Sequence, residues 1–143
     1  MKNIKVEIYT DILLQIKRGN HRGKIINAKP LFILNLIELV EKSIITTNCF
    51  YFNDVLSKSF EEIQKRYNQN ISPMYYPYYY LATQNFWHHK YKINSTKKTQ
   101  YPSAKFIKDN IEYAYLDNAL WDLLQDVETR EYFKERIINA YLQ

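Results

Sequence analysis

Lys29-Pro30-Leu31-Phe32-Ile33-Leu34-Asn35-Leu36-Ile37-Glu38-Leu39-Val40 is the stretch on which the fold turns. Pro30 suits the first turn of a helix, where a missing N–H costs nothing. The run behind it is apolar almost all round, and such a helix belongs at the centre of a core. Asn35 and Glu38 interrupt it, and it falls far short of the roughly 20 residues a membrane span needs.

Outward from this helix, the pattern weakens in both directions. On the N-terminal side, Ile4, Ile8, Ile12 and Ile16 recur every four residues, which predicts an amphipathic helix over 4–18 with those side chains inward. Gly19-Asn20 is expected to end it, and 21–27 reads as a basic loop. On the C-terminal side, 49–52 reads as a short strand. A helix capped by Asn53 or Asp54 then runs to Tyr67, with Leu56, Phe60, Ile63 and Tyr67 on one face. Residues 68–73 read as irregular. The alternation from Phe86 to Ile93 predicts a strand, and 94–102 a loop. Two helices, over 118–126 and 128–142, close the chain. Leu120, Leu123, Leu124 and Val127, then Phe133, Ile137 and Tyr141, are their inward positions. The expectation is one domain over 1–143, mainly α (α+β), compact, with a small β-hairpin or short sheet.

The composition agrees with a folded domain: 46% apolar and 24% charged over 143 residues. With Gly at only two positions, a Gly-rich phosphate loop is disfavoured. Cys49 stands alone, so no internal disulfide forms, and it reads as a small buried hydrophobe. The first residues mix charges and lack an apolar signal core, which points to a cytoplasmic location.

The net charge of +5 says less than its distribution. From Ile12 to Ile37 the charged residues are Lys17, Arg18, Arg22, Lys24 and Lys29, with no acid. From Ile63 to Lys108 they are Lys65, Arg66, Lys90, Lys92, Lys97, Lys98, Lys105 and Lys108, again with no acid. An AT-rich genome explains extra lysines, but not missing carboxylates. If the two stretches meet, they form a positive face for a polyanion.

Catalytic chemistry finds little support. His88 and His89 are neighbours on a strand and point to opposite faces, so they do not share a metal. Asp54, Glu61 and Glu62 lie on one helix and read as a solvated face. No Ser-His-Asp order or histidine-asparagine-histidine constellation stands out. The expectation is a non-enzyme with no cofactor and no metal. The segment Tyr75-Tyr76-Pro77-Tyr78-Tyr79-Tyr80-Leu81 is different. Tyrosines among lysines suit nucleic acid, rings stacking while ammonium groups meet phosphates. Pro77 is expected to exclude a continuous helix across this segment, and some of the tyrosines to reach the surface.

Several short motifs occur in a telling order: Lys29-Pro30-Leu31-Phe32-Ile33-Leu34, Tyr76-Pro77 with Leu81, Gln84-Asn85-Phe86-Trp87, and Ala114 with Leu116-Asp117 and Leu120. Over residues 15–143 this order resembles the sulfur-binding domain of HNH-type restriction endonucleases, which recognises phosphorothioate-modified DNA. The resemblance implies a DNA reader without its nuclease domain, cleavage lying with a separate subunit of a restriction or defence system. It implies a shallow apolar pocket at Tyr76, Pro77 and Tyr80, with Lys29 as the charged contact. A later basic residue, Lys98 or Lys105, would complete the clamp. Arg22, Lys24, Lys90, Lys92, Lys97, Lys98 and Lys105 are the expected backbone contacts. The chain departs from the family pattern at Ala28, where His is common, and at Gln84-Asn85, where Asp-Gly is common. Asn85 tolerates the left-handed conformation that Gly would adopt. The alternatives are a general nucleic-acid binder without sulfur preference and a protein-interaction subunit using the tyrosine segment.

Overall fold

The computed structural model describes residues 3–143. Among them are seven α-helices and two antiparallel two-stranded sheets, the mainly helical fold expected from the sequence. The helices are α1 (Ile4–Leu13), α2 (Ala28–Glu41), α3 (Asp54–Arg66), α4 (Tyr75–Tyr80), α5 (Ala104–Asn110), α6 (Asn118–Leu123) and α7 (Val127–Tyr141). The strands are β1 (Gly19–His21), β2 (Lys24–Ile26), β3 (Trp87–Tyr91) and β4 (Ile111–Leu116).

The apolar run behaves as its sequence demands. In α2 every residue from Ala28 to Ile37 is buried, and α3, α4 and α7 pack around it. Phe32 sits at the hub, edge-on to Phe60 at 5.4 Å and to Trp87 at 5.6 Å. Asn53 caps α3 by accepting from the Leu56 N–H, which satisfies one of the orphan donors of the first turn.

The first helix differs from expectation. It stops at Leu13, well before Gly19, because α7 supplies its terminus. The Tyr141 hydroxyl donates to the Leu13 carbonyl at 2.6 Å and accepts from the Ile16 N–H at 3.0 Å. Tyr9, Leu13 and Ile16 face inward, whereas Ile4 and Ile8 are exposed. The four-residue isoleucine repeat therefore does not mark the buried stripe.

The basic loop is a hairpin. β1 and β2 pair in register from Gly19↔Ile26 to His21↔Lys24. Arg22 at φ 52° and Gly23 at φ 81° form the two-residue turn with both angles positive, the geometry that matches strand twist. The 49–52 strand reduces to one bridge, Phe50 with Ala114, since only Phe50 finds a partner edge; Cys49 beside it is half-buried. β3 ends at Tyr91, two residues short of the expected limit, and Ile93 is exposed. β4 and α5, absent from the sequence expectation, supply its partner strand and the turn before it. Val127 also lies outward, at the first position of α7, where its neighbours are solvated.

Pro77 does not break α4. It lies in the first turn, where no helical acceptor awaits its N–H. None of the described helices is long and apolar enough to cross a membrane.

Candidate nucleic-acid interface

The two acid-free stretches meet at α4. Tyr76 projects from α4 onto the hairpin, and its hydroxyl lies so close to Gly19 that a Cβ there would collide with it. Lys29, in the first turn of α2, places its ammonium 5.9 Å from the Tyr76 ring centroid. Tyr80 follows one turn after Tyr76, with ring centroids 5.3 Å apart. Tyr76 thus links the buried Lys29 to the half-buried Tyr80. Pro77 lies beside them on α4 but is itself buried.

Lys29 is an unusual cation. It is only 8% exposed, and its Nζ donates to the Lys17 carbonyl at 3.0 Å. Burial, then the nearby Lys17 charge, pushes its pKa down, because an ammonium leaving water loses hydration. Burial first, and the electrostatic influence of Tyr80 second, push the Tyr76 phenol up, so it stays protonated as a donor.

Beyond Tyr80, the surface continues to the lysine loop. The Tyr79 hydroxyl donates to the Thr99 carbonyl at 3.1 Å and accepts from the Thr99 N–H at 3.0 Å. This pins the loop carrying Lys97 and Lys98 against α4. Between them opens a cleft of about 890 Å³ whose walls include His89, Tyr91 and Thr83, and no carboxylate. His89 is held within the aromatic layer: its Nε2 donates to the Tyr78 carbonyl at 2.8 Å. Burial, the largest cause, lowers its pKa and keeps it neutral.

A second cleft, of about 380 Å³, lies between the hairpin and the 68–72 loop. Lys24 and His21 stand on its hairpin side.

The remaining expected contacts are distributed unevenly. Arg22 and Lys24 occupy the hairpin tip and are exposed. Lys97 and Lys98 have no acidic partner among the described residues. Lys105 is paired with Asp109 at 2.6 Å, so its charge is matched locally. Lys92 donates to the Lys108 carbonyl. Lys90 alternates with His89 and Tyr91 along β3 and leaves from the other face of the strand. It is not brought to the lysine cleft.

The histidines separate as the strand geometry requires. His88 turns to Asp117 (2.5 Å), a carboxylate remote in sequence, which also accepts from the Tyr9 hydroxyl at 2.7 Å. No cluster of three His, Cys, Asp or Glu suited to a metal occurs among the described residues. The parts that Tyr79, Gly19 and Gln64 play at the site escaped the sequence reading. Their roles lie in hydrogen bonds or close approaches to distant chain segments, and no local signal carries those.

No family model and no curated protein matches the sequence. The fold does match solved structures. The sulfur-binding domain of ScoMcrA complexed with phosphorothioated DNA superposes with TM-score 0.73 at 13% identity, covering 93% of this chain and 86% of that one. A structure of the sulfur-binding and SRA domains of ScoMcrA with the same kind of DNA gives the same score, this chain spanning 42% of its length. The Type IV phosphorothioation-dependent restriction endonuclease ScoMcrA matches at TM-score 0.69, with 30% of its length covered. At this identity the likeness is one of architecture: the chain has the fold of the sulfur-binding domain of ScoMcrA.

Proposed function

We propose that this chain is a non-catalytic reader of phosphorothioate-modified duplex DNA, acting as one recognition domain over residues 1–143. The observation that carries the proposal is the meeting of both acid-free stretches at Lys29, Tyr76 and Tyr80, on a fold shared with a domain solved on such DNA. The chemistry suits the ligand. A phosphorothioate replaces one phosphate oxygen with a larger, softer and poorly hydrated sulfur. An apolar ring surface is a better partner for that sulfur than for an oxygen, since little hydration is lost on contact.

In this reading the sulfur rests against Tyr76 and Tyr80, with Pro77 supporting the pair from beneath. The buried Lys29 supplies positive potential from behind the Tyr76 ring. Arg22, Lys24, Lys97 and Lys98 meet phosphates along the strand, while Lys92 and Lys105 are held by Lys108 and Asp109 and Lys90 leaves from the other face of β3. Cleavage would be the work of a separate nuclease part, in a cytoplasmic restriction or defence system.

The test is a binding titration on matched duplexes with and without one phosphorothioate. The modified duplex is expected to bind at least several-fold tighter in the wild type. Tyr80→Ala should lose that difference while keeping its affinity for unmodified DNA. Equal affinity of the wild type for both duplexes would leave a general DNA binder and remove the sulfur claim.

A further inference from the structure

We propose that the loop Asn68-Gln69-Asn70-Ile71 reads an A·T base pair next to the modified phosphate; this rests on the DNA-binding reading above. The loop forms one wall of the 380 Å³ cleft beside the hairpin. It is rigid for a reason visible in its bonds. Gln64, 1% exposed, spends both ends of its amide on Ser72: Nε2 donates to the carbonyl at 3.2 Å and Oε1 accepts from the N–H at 2.7 Å. The Gln69 N–H donates to the Gln64 carbonyl at 2.9 Å, and the Asn68 N–H to the Lys65 carbonyl at 3.0 Å.

What this frame leaves open is specific. Asn68 and Asn70 are exposed, and among the described residues neither side-chain amide has a hydrogen-bond partner. Gln69 donates through Nε2 to the Tyr67 carbonyl, which leaves its carbonyl oxygen open. Across the cleft, Asn27 accepts from Arg18 and keeps its NH₂ free. Open donors therefore stand beside open acceptors. A phosphate offers only acceptors and gains nothing from a facing amide carbonyl. A base edge offers both, and the N7 and N6 positions of adenine match one Asn amide in two bonds. Ile71, 50% exposed at the same loop, gives an apolar contact of the kind the thymine methyl takes.

Position supports the assignment. Ile26 and Ala28 line the cleft, and they stand beside Gly19 and Lys29, the residues that meet Tyr76. A duplex seated on Tyr76 would present neighbouring base pairs to the loop.

The experiment selects bound duplexes from a pool with one fixed phosphorothioate and random flanking pairs, then sequences them. The wild type is expected to enrich A·T at one flanking position. Asn70→Ala and Asn68→Gly, the latter chosen because Asn68 has φ 55°, should each lower that preference by roughly ten-fold while binding the disfavoured sequences as before. Replacing that adenine by 7-deazaadenine should weaken the wild type and leave Asn70→Ala unchanged. An unbiased wild-type pool, or a preference intact in both variants, overturns the inference and leaves DNA binding standing. No binding to any duplex overturns the DNA-binding reading and this inference with it.

Discussion

Two loops flank α4, and one side chain pins each of them. Gln64 holds 68–72 through the Ser72 backbone, and Tyr79 holds 97–100 through the Thr99 backbone. The anchoring is alike; the free groups are not. The first loop leaves amides with donors and acceptors, the second leaves the ammonium groups of Lys97 and Lys98. A site built on cations grips any strand, because every strand carries the same phosphates. A site built on amides distinguishes, because base edges differ. On the proposed reading, grip and choice belong to two different loops, each tied to its own anchor.

The sharpest way to break the comparison is to remove the first pin. Gln64→Leu removes the side-chain partner of the half-buried Ser72 N–H and carbonyl, each loss costing at most about 1–3 kcal/mol. Urea unfolding should show that loss, and amide exchange at Ser72 should speed up, while the Lys97 loop keeps its protection.

Gly19→Val attacks the contact between the hairpin and α4. Its side chain collides with the Tyr76 hydroxyl, and overpacking of this kind costs about 1–3 kcal/mol. The expected signature is lost preference for the modified duplex with plain-duplex affinity nearly kept, measured by anisotropy.

Removing the grip should act on every sequence alike. In the double variant Lys97→Ala with Lys98→Ala, the slope of log affinity against log salt should fall by about 0.9 for each phosphate that is no longer neutralised. A changed base preference would show that the division of labour is not real.

Tyr79→Phe is milder. It removes two hydrogen bonds to Thr99, each worth about 0.5–1.5 kcal/mol. Association is expected to weaken a few-fold on all duplexes, with the salt slope retained.

The smallest effect is on pH. His89 has a folded pKa below its ordinary value, so the unfolded chain binds more protons in the window between the two. Stability conferred by neutral His89 is complete above the ordinary imidazole range and declines as pH falls through it. The slope is at most about 1.4 kcal/mol per pH unit for one group. The stability difference between wild type and His89→Gln should therefore shrink from pH 7.5 to pH 5, as read from urea midpoints.

Much of the architecture was legible because it is written locally. The α2 run and the Asn53 cap each need only their own neighbourhood to be read. The misreadings share a physical cause, which is that a distant group overrides the local signal. Tyr141 ends α1 before Gly19 can, and Pro77 is harmless only because α4 begins two residues earlier. β4 has the composition of several alternatives until β3 lies beside it. At the site, charge asymmetry marked which stretches to expect on one face. It did not reveal that Lys105 is neutralised or that Lys90 leaves from the far side of β3, since both depend on tertiary placement.

The Tyr141 hydroxyl also sets an order of events during synthesis. Its two partners, at the end of the first helix and just past it, lie 128 and 125 residues away in sequence. A ribosome releases α1 long before it makes the tyrosine that terminates it. Until then the Leu13 carbonyl and the Ile16 amide have only water. The segment leading into the hairpin, and hence Gly19 beneath Tyr76, takes its final path only when α7 arrives. On the proposed reading, recognition waits for α7: a nascent copy has its lysines and tyrosines early, but not the surface that combines them.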